Sequence, residues 1–220
     1  GPYSGSYSFF RKEISVIEVP TWFLQDVSRE TLDKLCVYKE LLKKWTKKIN
    51  LISRSTYDHI ADRHIWDSAQ IFEHIEGRWV DLGSGGGLPG VVLAILADGK
   101  KKPLNIVLVE SDIRKATFLR TCSTKLEVPL KVISQRIDCI EPLNAEIISA
   151  RALTNLNNLV ELAEMHLTPG GASLFMKGAK WQQELEEARR NWQFSCDVKP
   201  SLTNPDAAIL RIKDIRRVGL

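Results

Sequence analysis

"WVDLGSGGGLPG", Trp79 to Gly90, changes character partway along: a short apolar strand runs into a turn built largely of glycine. Glycine allows backbone angles that a Cβ forbids and lets a ligand approach the main chain closely. Pro89 suits the first turn of a helix, where its missing N–H costs nothing. The stretch therefore reads strand, turn, helix. Gly85-x-Gly87-x-x-Gly90 has the spacing of the dinucleotide fingerprint, in which a pyrophosphate docks on the helix N-terminus. Asp81 argues against a phosphate. Two residues before Gly83, a carboxylate is badly placed beside two phosphate charges, but well placed beside a ligand that carries an ammonium and a sulfonium. S-adenosylmethionine is such a ligand. Asp81, Gly83, Ser84, Gly85, Gly87 and Leu88 are its expected contacts.

The strand–turn–helix rhythm repeats downstream. "LNIVLVES", "LKVISQ", "EIISA" and "GASLFMK" read as strands; "LPGVVLAILAD", "DIRKATFLRTCSTKL", "LNNLVELAEMHL" and "WQQELEEARRNW" read as helices. Strands apolar on both faces, alternating with helices, indicate a parallel sheet covered on two sides. Right-handed crossovers make it doubly wound, with ligands collecting at the C-terminal strand edge. The tail differs: "QFSCDVKP" and "AAILRIKDIRR" flank the turn-rich "SLTNPD", which suits an antiparallel pair. A mostly parallel, seven-stranded α/β sheet with an antiparallel C-terminal strand is the Rossmann-like arrangement of class I S-adenosylmethionine-dependent methyltransferases. That match is analogy of fold, so function must be argued from the site.

Three strand ends carry site candidates. Glu110, with Ser111 after it, ends the second strand, where a carboxylate can accept both ribose hydroxyls of an adenine nucleoside. "SQRID" follows the third strand, and backbone groups at Ile137 and Asp138 can bracket an adenine edge. "IISARAL" places Ser149 and Arg151 at the end of the fourth strand, beside the expected methyl group. A semi-buried arginine there needs an anion. The donor's carboxylate, an RNA phosphate, or a salt bridge to a domain carboxylate such as Asp67 would each serve.

Upstream, Ser28 to Ser53 reads as one long amphipathic helix, with Leu32, Leu35, Tyr38, Leu42, Trp45, Ile49 and Ile52 at three- and four-residue steps. Ser28 is its N-cap candidate, and Glu30 in the first turn suits the dipole. Lys39, Lys43, Lys44, Lys47 and Lys48 occupy the other face, either as a solvated stripe or as a phosphate contact. Tyr57 to Ile75 also has helical spacing and brings Arg63, His64 and Asp67 near one face. "GPYSGSYSFF" at the start offers nothing to pack. The expected layout is a tag remnant or flexible tail over 1–20, a helical extension over 21–76 and a class I methyltransferase domain over 77–220.

Composition narrows the rest. Cys36, Cys122, Cys139 and Cys196 stand singly, with no paired spacing for zinc or a disulfide framework, and read as buried small hydrophobes; no metal is expected. A net charge of +4 permits an anionic partner without demanding one. With no long apolar run and no signal peptide, a cytoplasmic monomer without membrane contact is expected. No Asn-Pro-Pro-aromatic segment is present to hold an exocyclic amine, and no Pro-Cys pair to attack a pyrimidine carbon. Guanine N7, with its free lone pair, needs neither; no catalytic acid or base is expected, only alignment.

The motifs "KWTKKINLIS", "DRHIWDS", "DLGSGGGLPG", "RKATFL", "QRID", "SARA" and Lys177-Gly178 together resemble the RsmG/GidB family, bacterial methyltransferases acting on guanine N7 of small-subunit (16S) ribosomal RNA. The resemblance spans the first helix to the final strand. It implies donor contacts at Gly83, Leu88, Ile137, Asp138 and Arg151, with Glu110 at the ribose. The family more often has Glu at 138 and Lys-Arg at 114–115. S-adenosylmethionine is the implied cofactor, and 16S ribosomal RNA or the small ribosomal subunit the implied partner. Arg63, His64, Lys177, Lys43 and Lys47 are the expected RNA contacts, although Arg63, His64 and Asp67 would also serve to hold the extension onto the sheet. A methyltransferase of a small molecule or protein, and a non-catalytic ribosome-assembly factor, are the alternatives.

Overall fold

Strands that are apolar on both faces need cover on both faces, and this chain supplies it. The computed structural model describes residues 16–74 and 77–220. The strands are β1 (Arg78–Leu82), β2 (Asn105–Val109), β3 (Lys131–Ile133), β4 (Ala145–Arg151), β5 (Leu167–Lys177), β6 (Trp192–Pro200) and β7 (Ala208–Arg217). The α-helices are α1 (Arg29–Thr46), α2 (Asp67–Ala69), α3 (Gly90–Gly99), α4 (Ile113–Leu126), α5 (Leu156–His166) and α6 (Trp181–Arg189). They form one sheet in the order β3-β2-β1-β4-β5-β7-β6, parallel except for β7, which runs antiparallel to both neighbours. The order reverses between β1 and β4, so a crevice opens at the C-terminal ends of those two strands.

Alternate residues of the central strands enter different cores. Trp79, Ile106 and Leu108 pack under α3 and α4, while Val80, Val107 and Val109 pack under α5 and α6. Helix α1 lies outside α3 and α4 and buries Leu35, Tyr38 and Leu42 completely; burial of each leucine is worth about 2 kcal/mol. The extension and the sheet thus share one hydrophobic cluster. Ile17 belongs to it as well, only 2% exposed. Packing therefore begins inside the segment expected to be tail; residues 1–15 lie outside the described residues.

Three expectations need correction. Helix α1 starts where Ser28 caps it, the side chain accepting from the Thr31 N–H at 3.1 Å, but it stops at Thr46 instead of running to Ser53. The Trp45 carbonyl accepts from both Lys48 and Ile49, closing the last turn. The chain then doubles back so that Leu51 packs against Gly86, where a Cβ would come within 3.4 Å of it. Residues 57–74 do not form one helix either, residue 75 of the expected helix lying outside the described residues. They break into a 3-10 helix (Arg54–His59), a π turn (Ala61–Trp66), α2 and a second 3-10 helix (Phe72–His74). Finally, Cys36 and Cys122 are buried as expected, but Cys139 is exposed and Cys196 half-buried.

Candidate functional site

The glycine turn is held from beneath by Asp81. This carboxylate is fully buried and accepts from Ser84 Oγ at 2.7 Å, Ser149 Oγ at 2.7 Å and the Gly90 N–H at 3.1 Å. Trp79 Nε1 donates to Ser149 Oγ at 2.8 Å, so the network extends to a residue two positions earlier on β1. Burial pushes the Asp81 carboxyl up to about 6, against the pull of Ser84, Ser149 and Gly90. Asp81 and Ser84, both expected donor contacts, are buried and their side chains bond each other, with Gly90 and Ser149 of β4 as the further partners of Asp81. Leu88 likewise turns its side chain into the core; its backbone N–H donates to the Ser84 carbonyl.

The glycines have distinct reasons. Gly83 and Gly85 sit at φ +58° and +56°, in the left-handed region. A Cβ on Gly83 would strike Leu153 Cδ1 at 2.4 Å, and one on Gly87 would strike Val91 at 2.3 Å. At Gly85 the space is open, the nearest atom lying 3.8 Å away. The loop is also tied from the extension: the buried Tyr38 hydroxyl donates to the Gly86 carbonyl.

Glu110 stands at the end of β2, only 7% exposed. Its two oxygens accept from the Gly85 N–H at 2.9 Å and the Asp112 N–H at 2.8 Å. Each keeps a further lone pair for a hydroxyl donor. Beside it opens a cleft of about 530 Å³ lined by Ser111, Ile137, Asp138, Leu153, Leu162 and Met165, among others. Three of the expected contacts thus come together there, and the apolar walls suit the faces of a flat ring. The Asp138 carboxylate is paired with Arg136 at 2.8 Å. The Ile137 segment is fixed by His166, which is fully buried: Nδ1 accepts from the Leu143 N–H and Nε2–H donates to the Ile137 carbonyl, each at 3.2 Å.

A second cleft, of about 340 Å³, lies across the segment Arg151–Thr154. Arg151 and Ala152 line this cleft, Leu153 and Thr154 the first, and Ala152 sits at φ +52° between them. Arg151 is ion-paired with Asp67 at 3.0 Å and also donates to His64 Nδ1. Because a guanidinium only donates, Nδ1 must accept, so the imidazole proton sits on Nε2 and is given to Thr56 Oγ1 at 2.6 Å. Burial and the Arg151 charge hold His64 down at about 4 and neutral. Of the three anions considered for Arg151, the structure places Asp67 against it. Thr203, from the β6–β7 turn, donates to Asp67 Oδ1, so the hairpin also closes onto this cleft.

Lys177 lines the same cleft but is paired with Glu184 at 3.0 Å and donates to the Thr154 carbonyl at 3.0 Å. It is positioned to steady the segment between the clefts. Arg63 lines the cleft, is exposed and has no side-chain partner among the described residues. The lysine stripe is uneven: Lys44, Lys47 and Lys48 are exposed, Lys43 is half-buried near the Tyr57 ring, and Lys39 is only 8% exposed. Sequence reading missed Tyr38 as a contact to the loop, Leu153, His166 and Thr203. Tyr38 reads only as part of the apolar face of α1, Leu153 and Thr203 stand in segments whose signal lay in other residues, and His166 ends a helix whose spacing shows only packing.

No helix among the described residues is long and apolar enough to cross a membrane. The fold resembles that of a Methanococcus maripaludis protein described as an S-adenosyl-L-methionine-dependent methyltransferase: TM-score 0.55, 13% identity, 89% of this chain and 99% of that one. It also resembles a variant of MtNAS solved with S-adenosylmethionine: TM-score 0.55, 15% identity, 83% of this chain and 76% of that one. Among proteins similar in sequence, the ribosomal RNA small subunit methyltransferase G of a Ruegeria species is 49% identical over 195 residues, 88% of this chain and 95% of that protein. The protein of the same name from Cereibacter sphaeroides is 47% identical over 196 residues, 88% of this chain and 95% of that protein. The family model described as GidB, rRNA small subunit methyltransferase G, matches residues 31–208. With that match and these relatives, the chain belongs to the GidB family, rRNA small subunit methyltransferase G.

Proposed function

We propose that the chain transfers a methyl group from S-adenosylmethionine to N7 of a guanine in small-subunit ribosomal RNA. The residues present fit the donor. The glycine turn leaves open space at Gly85, Glu110 offers lone pairs at the ribose position, and the adjoining cleft has apolar walls for an adenine. Bound there, the donor supplies a methyl carbon on a sulfonium, open to in-line displacement. The Gly83–Gly87 backbone and Glu110 hold the donor's nucleoside side, and the 151–154 segment separates it from the acceptor cleft.

One observation carries the choice of N7. The titratable groups packed together in the acceptor cleft are already engaged: His64 has both ring nitrogens in hydrogen bonds, and Asp67 is ion-paired with Arg151. Among the described residues no free base stands there to deprotonate an exocyclic amine or a hydroxyl. Guanine N7 carries its own lone pair, so placing it in line with the methyl suffices. The base must leave its stack to enter the cleft. The related proteins named above are called ribosomal RNA small subunit methyltransferases, which supports RNA as the substrate. Exposed Lys44, Lys47 and Lys48 supply charge for its phosphates. The test is to map N7-methylguanine in ribosomal RNA from cells with and without this protein. Loss of one such site on deletion is expected; an unchanged map overturns the reading.

A further inference from the structure

A third cavity, of about 420 Å³, lies beyond Arg63 and Thr203, which line both it and the acceptor cleft. Its apolar part comes from Pro20, Trp22, Trp66 and Leu202. Trp22 is half-buried and packs edge-on against Phe23, with ring centroids 6.1 Å apart; Phe23 in turn packs on Trp66 at 5.3 Å. Leu202, 51% exposed, offers apolar surface to the cavity.

The exposed polar groups at the rim are not tied up by the protein. Among the described residues the side chains of His59, Asp62 and Arg63 make no hydrogen bond or ion pair, although Asp62 and Arg63 are adjacent. Trp66 is 1% exposed, yet its indole N–H has no partner. Donors and an acceptor around an apolar slot match a nucleobase, which has flat apolar faces and a mixed donor–acceptor edge. They do not match a phosphate, which would meet the Asp62 carboxylate and the indole walls.

We infer that this cavity binds the base of the nucleotide next to the target guanine, stacked on Trp22 and read at its edge by Asp62 and Arg63. The inference rests on the RNA substrate proposed above. In single-stranded RNA, two splayed neighbours occupy adjoining pockets, and here two pockets share the walls Arg63 and Thr203. Holding the neighbouring base would also help draw the guanine from its stack, because the backbone between them is then anchored on the protein.

The experiment uses the full chain, S-adenosylmethionine and small-subunit ribosomal RNA in which the nucleotide on the 5′ or the 3′ side of the mapped guanine lacks its base. With the unaltered chain, removing the base at one of these positions should raise KM for the RNA about tenfold, the scale of a lost base–indole stack. Trp22→Ala should raise KM comparably with intact RNA and no further with that abasic RNA, while KM for S-adenosylmethionine stays put. Leu202→Asp, at an exposed position where folding is not at stake, should repeat the pattern. If the losses from protein and RNA multiply, or if both variants use intact RNA as well as the unaltered chain does, the cavity does not hold that base. If the unaltered chain leaves intact RNA unmethylated, the proposed substrate and this inference fall together.

Discussion

The Tyr38 hydroxyl donates to the carbonyl of Gly86, so the first helix of the extension reaches the middle of the glycine turn. The contact is wholly buried, and burial raises the Tyr38 hydroxyl well above its ordinary value, keeping it a donor. Tyr38→Phe keeps the ring in the core but leaves a buried carbonyl unpaired, at a cost of about 1–3 kcal/mol. The prediction is a lower urea midpoint together with weaker S-adenosylmethionine binding by calorimetry. Unchanged binding would mean that the turn keeps its shape without the extension.

Asp81 makes stability depend on pH in an unusual direction. Its ordinary value of 3.8 is raised by burial to about 6 in the folded chain. The folded state therefore holds a proton that the unfolded chain releases, and this contribution is fully present below about 3.8 and lost as pH rises through about 6. The difference is on the order of 3 kcal/mol. Urea unfolding of the unaltered chain and Asp81→Asn across that window should show the unaltered chain losing ground steadily as pH rises. A difference independent of pH would sink the assignment.

His64 acts in the opposite sense. Burial first, then the Arg151 charge, lower it from 6.5 to about 4. The unfolded chain then takes up the proton first, so this contribution is fully present above about 6.5 and lost as pH falls through about 4. Protonation would also set an imidazolium against Arg151. His64→Gln should remove this part of the acid sensitivity, as read from melting temperatures between pH 4 and 7. Equal acid sensitivity in both proteins would show that His64 takes up its proton alike in the folded and unfolded chains.

His166 steadies the cleft from behind. Its two nitrogens join the Leu143 N–H to the Ile137 carbonyl, and the ring touches nothing that would react. His166→Phe should therefore raise KM for S-adenosylmethionine severalfold while leaving kcat at saturating donor nearly unchanged. A fall in kcat with unaltered KM would assign the ring another role.

Where sequence and structure agree, the signal is local. All seven strands were legible after Gly77: β1, β2 and β4 are buried on both faces and are recognised by their own apolar residues, while β6, largely exposed, is marked together with β7 by the turn-rich segment 201–206 between them. The boundaries that failed were set by distant partners. Helix α1 looks continuous to Ser53 because its periodicity persists, yet it turns at Thr46 to place Leu51 on Gly86, thirty-five residues away in sequence. Segment 57–75 keeps helical spacing, but His64 and Asp67 are both drawn to Arg151 and the helix is interrupted there. Asp81 was legible as a decisive residue, but its partners were not. Its charge is what the sequence shows, whereas the bonds from Ser84, Ser149 and Gly90 that fix it beneath the turn appear only in the fold. Hydrogen bonds between strands that are neighbours only in the sheet leave no spacing to read.

The exposed lysines offer the last prediction. Lys44, Lys47 and Lys48 are exposed at the end of α1, while Lys43 lies beside Tyr57, one residue from the Thr56 that lines the acceptor cleft. Each phosphate neutralised on single-stranded RNA releases counterions, so log affinity should fall with log salt by about 0.7 per contact. Lys44→Glu with Lys47→Glu should weaken RNA binding at low salt and flatten the salt slope by roughly one to two. S-adenosylmethionine binding should be untouched, because neither lysine is near the glycine turn in sequence or lines its clefts. Filter binding across a salt series gives the slope directly. A slope equal to that of the unaltered chain would remove these lysines from the RNA interface and leave the charges of β7, Arg211 and Lys213 among them, to carry it.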